Sequence, residues 1–257
     1  MAIRGISFLE RLSLTRALRR WTEIADEAHT MPPAELRDLR KRLSSLRHQL
    51  DRARLAADAA LLNAGSVQDR IERPDQCDWA FRPAPWVVPI LPAGEVSVMS
   101  PKDLGGGVKL FHDAHLSELS YRQVRNQLAD IAAPFGLILD VYRFDGSFLS
   151  VVQDLPQEAL DGLTRDHFLK VGLRATLESP LEVYARLNVQ HGPNCEQIVR
   201  QFQFDGDSAV AEFDLAYSKI NEKRLEKMWL DLIFEGPQMN QVSIWDMTIL
   251  RAPRADL

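Results

Sequence analysis

Val242-Ser243-Ile244-Trp245-Asp246-Met247-Thr248-Ile249-Leu250 is the stretch whose reading decides the fold. Apolar and polar side chains alternate along it with a period of two, which places one set on a core and the other in water. A helix would need apolar positions three and four apart. Working backwards from this run, further candidate strands lie at about 227–235, 208–217, 197–204, 181–190, 167–178, 147–154, 135–143, 117–122 and 108–112. Turn residues separate them: Phe144-Asp145-Gly146, His191-Gly192-Pro193-Asn194, Asp205-Gly206-Asp207 and Gly236-Pro237. Many strands at short spacing, without long alternating helices, predict a jelly-roll β-sandwich. Helical spacing of Val124, Leu128 and Ile131 leaves 121–133 open to a short helix, and brief helical interruptions are expected near Gln157–Leu163 and Ile220–Leu225.

The N-terminal region follows a different rule. Residues 5–28 keep Ile6, Leu9, Leu12, Leu18, Trp21 and Ala25 roughly on one helical face, with arginines interleaved. Met31-Pro32-Pro33 ends that helix and Pro33 suits the first turn of the next. From there Leu36, Leu39, Leu43, Leu46 and Leu50 step by three and four, and Ala53, Ala57, Ala60 and Ala64 continue the rhythm. This is the seam of a coiled coil, which either folds back on residues 5–28 or joins copies of the chain. The five leucines are the candidate oligomerisation residues, and a homo-oligomer is the expectation. Three regions follow: a helical assembly or anchoring segment at 1–65, a connector at 66–107, and a sandwich domain at 108–257. The connector holds Pro74, Pro83, Pro85, Pro89, Pro92 and Pro101, which forbid a long central strand. Trp79, Phe81 and Trp86 among them suggest a segment laid over a core.

The chain has 257 residues, 46% of them hydrophobic and 26% charged, enough for a packed core. Its net charge of −5 is unevenly spread: residues 1–65 carry twelve basic against eight acidic side chains, and the remainder nineteen against twenty-eight. An acidic main body argues against nucleic acid as a partner. Two distant cysteines, Cys77 and Cys195, do not make a disulfide scaffold. Without a run of about eighteen apolar residues or a signal-peptide pattern, the expectation is cytoplasmic synthesis, with incorporation into a released particle still open and membrane association disfavoured. The N-terminal helix, rich in arginine, also admits a membrane-surface or partner-docking role, as in a cytoplasmic adaptor.

Catalytic motifs are missing. Gly105-Gly106-Gly107 lacks the Gly-Lys-Ser/Thr ending of a phosphate loop and precedes a strand. Neither Gly-x-Ser-x-Gly nor His-Glu-x-x-His occurs. His112-Asp113-Ala114-His115 invites a metal, but no third ligand cluster is near it in sequence. No cofactor and no metal are expected, and the chain is not expected to be an enzyme. The enzymatic alternative is a glycosidase using Asp231 or Asp246 with a second acid, which requires two carboxyl groups across one cleft.

The polar faces of three strands carry the binding expectation. In 181–190, Leu181, Val183, Ala185, Leu187 and Val189 alternate with polar residues that include Tyr184, Arg186 and Asn188. In 167–178 the polar set includes Arg174, and in 227–235 it includes Trp229 and Asp231. Rings stack on the apolar face of a pyranose and planar polar groups bridge neighbouring hydroxyls. Arg174, Tyr184, Arg186, Asn188, Trp229 and Asp231 are therefore the candidate ligand-binding residues, with polysaccharide as the expected partner.

Ile244-Trp245-Asp246-Met247-Thr248-Ile249 resembles the closing strand of jelly-roll carbohydrate-binding modules of the galactose-binding-like type. Met228-Trp229-Leu230-Asp231-Leu232-Ile233-Phe234 with Gly236-Pro237 resembles their preceding strand and turn. The resemblance covers residues 137–250 and implies the fold and a carbohydrate ligand; the calcium loop common in those modules has no match. The whole chain also resembles an uncharacterised alphaproteobacterial family with a helical N-terminus, a Trp79–Trp86 linker and a sandwich. That second resemblance implies a structural role as a spike or surface-attachment component of a phage-like particle, such as the head-spike base of a gene transfer agent.

Overall fold

The computed structural model describes residues 8–64, 71–116, 118–127 and 130–254. By their contacts, residues 1–54 and 55–257 form two compact units. The first holds α1 (Phe8–Glu27) and α2 (Pro33–Ala64) as far as Arg54, the two helices meeting at an elbow around Met31-Pro32. Half-buried side chains cluster at this elbow: Trp21, Ile24, Ala28, Met31, Leu36 and Leu39. Further along α2, Leu43 and Leu46 are each 39% exposed and Leu50 60%. Ile6 lies outside the described residues, as do the side chains of Leu9 in α1 and of Ala60 and Ala64 at the end of the leucine–alanine rhythm. No helix among the described residues is long and apolar enough to cross a membrane.

The second unit is built from fourteen described strands. The connector supplies three short ones, β1 (Trp79–Phe81), β2 (Gly94–Val96) and β3 (Lys102–Gly105). β4 (Val108–His112), β5 (Leu119–Arg125), β6 (Phe135–Val141) and β7 (Leu149–Asp154) follow. Residues 121–125, whose spacing also admits a helix, are strand, because Leu119 and Tyr121 alternate inward beside β6. Then come β8 (His167–Leu177), β9 (Glu182–His191), β10 (Asn194–Gln201), β11 (Gln203–Asp205), β12 (Ser208–Asp214), β13 (Leu225–Glu235) and β14 (Asn240–Pro253). Single 3₁₀ turns occupy Gln157–Ala159 and Glu222–Arg224, where helical interruptions are expected.

All the pairing is antiparallel, in two sheets. The first sheet runs β11-β12-β8-β14-β6-β5-β2, with β1 on β14, and the second runs β10-β9-β13-β7-β4-β3. From β6 onward the chain crosses from sheet to sheet at every step except the β9–β10 and β11–β12 hairpins. That winding is the jelly roll, and it places successive inward-facing residues in one shared core. Leu137, Leu169, Leu187, Phe213, Leu230 and Phe234 are among its fully enclosed members. Each contributes roughly 1.5–3 kcal/mol by leaving water.

β14 departs from simple alternation. Val242 and Ile244 point inward before Trp245, whereas Met247 and Ile249 point inward after it. The register on β8 slips between Ile244, opposite Ala175, and Asp246, opposite Arg174. Trp245 is the extra residue of a β-bulge, so Trp245 and Asp246 both face outward. Arg82 meets the displaced carboxylate with two bonds, Nε to Oδ1 at 2.8 Å and Nη2 to Oδ2 at 2.9 Å. Nearby, Trp86 is enclosed in the core and its indole N–H donates to the Ile244 carbonyl at 3.0 Å. At the other end of β14, buried Arg251 binds Asp78 and donates to the carbonyls of Ala159 and Asp161. The proline-rich stretch is thereby part of the sandwich's packing and polar network.

Candidate functional site

The second sheet turns one side to the core and the other outward, and strand register aligns its outward residues in rows. Gln197, Asn188, Trp229 and Asp154 share one row. Val199, Arg186, Asp231, Val152 and Lys109 form the next. Gln201, Tyr184, Ile233, Ser150 and Phe111 form the third. A groove of about 570 Å³ crosses these rows. Asn188 and Asp231 are buried at its base, while Trp229, Ile233, Phe111 and Phe148 supply its apolar surface.

The base is a continuous polar chain. Arg186 Nε donates to Asp231 Oδ2 at 2.6 Å, and Asn188 Nδ2 donates to the same oxygen at 3.0 Å. Gln197 Nε2 donates to Asn188 Oδ1 at 2.9 Å. A buried carboxylate needs such partners, because an unpaired one is strongly disfavoured. Arg186 commits only its Nε here and its side chain is 39% exposed, so the outer edge of the guanidinium is open to a ligand. Lys227 Nζ lies 5.4 Å from the centre of the Trp229 ring and 2.8 Å from Asp154. It thereby ties the indole to a neighbouring hollow of about 180 Å³ beside Lys109.

Phe148 reaches the groove from the turn before β7, and its position is set by a carboxylate. Asp113 accepts from the Ser147 amide at 2.7 Å, the Ser147 hydroxyl at 2.6 Å and the Phe148 amide at 3.2 Å. The hydroxyl bond, then the amide bonds, hold Asp113 below its ordinary pKa. Asp145 caps the amides of His115 and Leu116 in the same way.

Of the six residues expected to bind ligand, Arg186, Asn188, Trp229 and Asp231 come together in this groove. Tyr184 is one row further along β9, its hydroxyl donating to Glu182 at 2.6 Å, and it does not line the groove. Arg174 belongs to the other sheet. It bridges Asp130 at 2.7 Å and Asp207 at 2.8 Å beside a separate hollow of about 380 Å³. The two ion pairs, Asp130 foremost, raise its pKa further. Phe111, Phe148 and Gln197 join the groove without having been singled out from sequence. Gln197 was within reach: a hairpin turning at Gly192-Pro193 pairs Asn194 with His191 and therefore Gln197 with Asn188.

Asp231 and Asp246, the two acids singled out from sequence, do not share a cleft, though Asp246 lines the hollow that also holds Glu72 and Asp130. Asp231 and Asp246 lie on different sheets, and Asp246 is locked by Arg82. Among the described residues lining the groove, Asp231 is the one carboxylate. His112 is buried, and its Nε2 donates to the Val98 carbonyl at 2.9 Å, which leaves Nδ1 enclosed without a partner. Among the described residues, no group of three or more His, Cys, Asp or Glu could hold a metal ion.

Fold and groove together define a class: a jelly-roll β-sandwich bearing an aromatic and polar groove on one sheet, preceded by a helical segment. The chain belongs to the family of unknown function DUF6478, whose model matches residues 1–257. No curated protein matches it. Among solved structures, it is similar to the enzymatically active domain of tailspike protein 4 of bacteriophage CBA120, at 8% identity and a TM-score of 0.40. That alignment covers 60% of this chain but only 21% of the tailspike chain. It is also similar to the family 11 carbohydrate-binding module of Clostridium thermocellum, at 11% identity, a TM-score of 0.39, and 61% and 96% coverage of this chain and of the module. A third is the CBM22-1 xylan-binding domain of Paenibacillus barcinonensis Xyn10C, at 9% identity, a TM-score of 0.36, and 63% and 98% coverage.

Proposed function

We propose that this protein is a non-enzymatic carbohydrate-binding module that takes a segment of polysaccharide in the groove of the second sheet. One observation carries this reading: the half-buried rings of Trp229 and Phe111 and the exposed ring of Phe148 surround a polar base whose side chains are already hydrogen-bonded to one another. Trp229, Phe111 and Phe148 offer flat apolar surface to sugar rings. The open edge of Arg186 and the amide of Gln197 offer planar donors to paired hydroxyls. Pre-organisation matters, because a base already hydrogen-bonded loses little entropy on binding. Trp229 and Ile233 stand four residues apart on one strand, about 13 Å along it, so the groove suits an oligosaccharide better than a single ring. In this reading the helical segment joins the module to a larger assembly, such as the spike of a phage-like particle.

Affinity electrophoresis of the full chain through gels containing neutral and acidic polysaccharides is the test. At least one polysaccharide is expected to retard the protein, and Trp229→Ala should weaken that retardation by about tenfold or more, as for a central aromatic contact. Unretarded migration through every gel would remove the carbohydrate reading.

A further inference from the structure

Outside the sandwich, the exposed leucine seam of α2 has a distinctive frame. In heptad terms Leu36, Leu43 and Leu50 are first-position residues, and Leu39 and Leu46 fourth-position residues. Leu43, Leu46 and Leu50 are exposed, and Leu12, Leu14 and Leu18 of α1 are exposed as well, so α1 does not fill this part of the seam. Seam-flanking positions set the choice of partner in a coiled coil. On one flank stand Arg40, Arg47 and Arg54, and on the other Glu35, Arg42 and Gln49.

A second copy fits this frame poorly. In a parallel pair the flanks meet as Glu35 with Arg40, Arg42 with Arg47, and Gln49 with Arg54: one attraction, one repulsion and one neutral contact on each side. In an antiparallel pair like flanks face each other, which sets the three-arginine flank against itself. The exposed pairs Arg42–Asp38, at 2.7 Å, and Arg47–Asp51, at 3.6 Å, do not neutralise the frame, since such pairs on a helix surface contribute only a few tenths of a kcal/mol. A membrane surface fits poorly too. The apolar strip is only two positions per heptad wide, and Asp38 and Asp51 stand among the residues outside it. An acidic helix gains at the four arginines among the six flank positions.

We infer that the leucine seam of α2 docks an amphipathic helix of another protein, with leucine-like residues on its seam and carboxylates on its flanks. The proposal is independent of the carbohydrate reading. Fluorescence anisotropy with the full chain tests it, using two synthetic peptides of about four heptads. Both carry Leu at seam positions; one has Glu on the flanks and the other Lys. The Glu peptide is expected to bind about tenfold or more tighter than the Lys peptide, and less tightly as salt rises. The triple variant Arg40→Glu, Arg47→Glu, Arg54→Glu, checked for unchanged helicity by circular dichroism, should reverse that preference. Equal binding of the two peptides overturns the proposal. So does a dimer, seen by sedimentation without peptide, that Leu43→Asp with Leu46→Asp dissolves, since a second copy then owns the seam. Co-sedimentation with anionic phospholipid vesicles that the same two substitutions abolish would assign the seam to a membrane and overturn it equally.

Discussion

Asp231 is a nearly enclosed acidic side chain whose tolerance depends on its bonds from Arg186 and Asn188. Arg186→Met removes the guanidinium while keeping most of its apolar stem. The stranded carboxylate should lower stability by about 1–3 kcal/mol, less than for a wholly buried pair because water reaches the Arg186 side. Urea unfolding measures this, and an unchanged midpoint would show that the pair contributes nothing to the fold. Tyr121 behaves differently. Burial, then the charge of Glu95, pushes its pKa up to about 12, and its hydroxyl donates to the Pro92 carbonyl at 3.2 Å. The raised value means that the folded state holds the proton more tightly than the unfolded chain. The stability it confers is therefore complete below about pH 10 and lost as pH rises toward 12. Tyrosinate absorbance should show a ring still protonated well above pH 10 and titrating at about pH 12. Simultaneous titration of all four tyrosines would contradict its burial.

At the scale of the element, the β14 bulge leaves little room beside it. A Cβ on Gly136 would stand 2.9 Å from Trp245 Cε3 and 3.3 Å from the Ile244 carbonyl. Gly136→Ala is therefore expected to destabilise by about 1–3 kcal/mol, the range for overpacking. In a Trp245→Leu background the cost should shrink, and a thermal-denaturation double-mutant cycle reads the coupling. Additive effects would mean that the ring and the new methyl do not meet. The bulge also marks how far the amino-acid pattern can be read. Alternation locates β4, β8, β9 and β13 to within about two residues, because each has one face in the core. Alternation does not announce an extra residue at Trp245, since Ile244-Trp245 reads as two neighbouring apolar side chains in any register. The shared face of Arg186 and Asn188 was legible by parity alone, as was that of Trp229 and Asp231. What parity lacks is the identity of the sheet: Arg174 has the right chemistry and the right side of its strand, but β8 lies in the opposite layer. Phe111 left a fainter mark, an apolar ring at a polar-parity position between inward-facing Leu110 and His112. Phe148 left none, because a turn and Asp113 place it.

For the molecule as a whole, the division between residues 1–54 and 55–257 has an energetic meaning. Every residue of the principal hydrophobic core, from Trp86 to Ile249, lies in the second unit. Removing residues 1–54 should therefore leave the thermal midpoint of the sandwich within about 3 °C of the full chain, a shift equivalent to no more than roughly 1 kcal/mol. Differential scanning calorimetry tests this, and a drop of ten degrees or so would mean that the helical unit shares in the core. Charge follows the same division, with the basic excess in the helical region and the acidic excess in the sandwich region. The acidic excess does not suit a polyanionic nucleic acid, and the arginine-framed seam does not suit a partner of its own sign.

In the first sheet, β14 alone links β11-β12-β8 to β6-β5-β2, and in the second β13 alone links β10-β9 to β7-β4-β3. Both linking strands follow all of their neighbours in the chain. During translation, earlier strands can form local hairpins, but the second layer cannot close until β13 has emerged from the ribosome, nor the first until β14 has. A nascent chain halted before residue 225 would leave open strand edges in both layers, the form most prone to pair with the wrong neighbour.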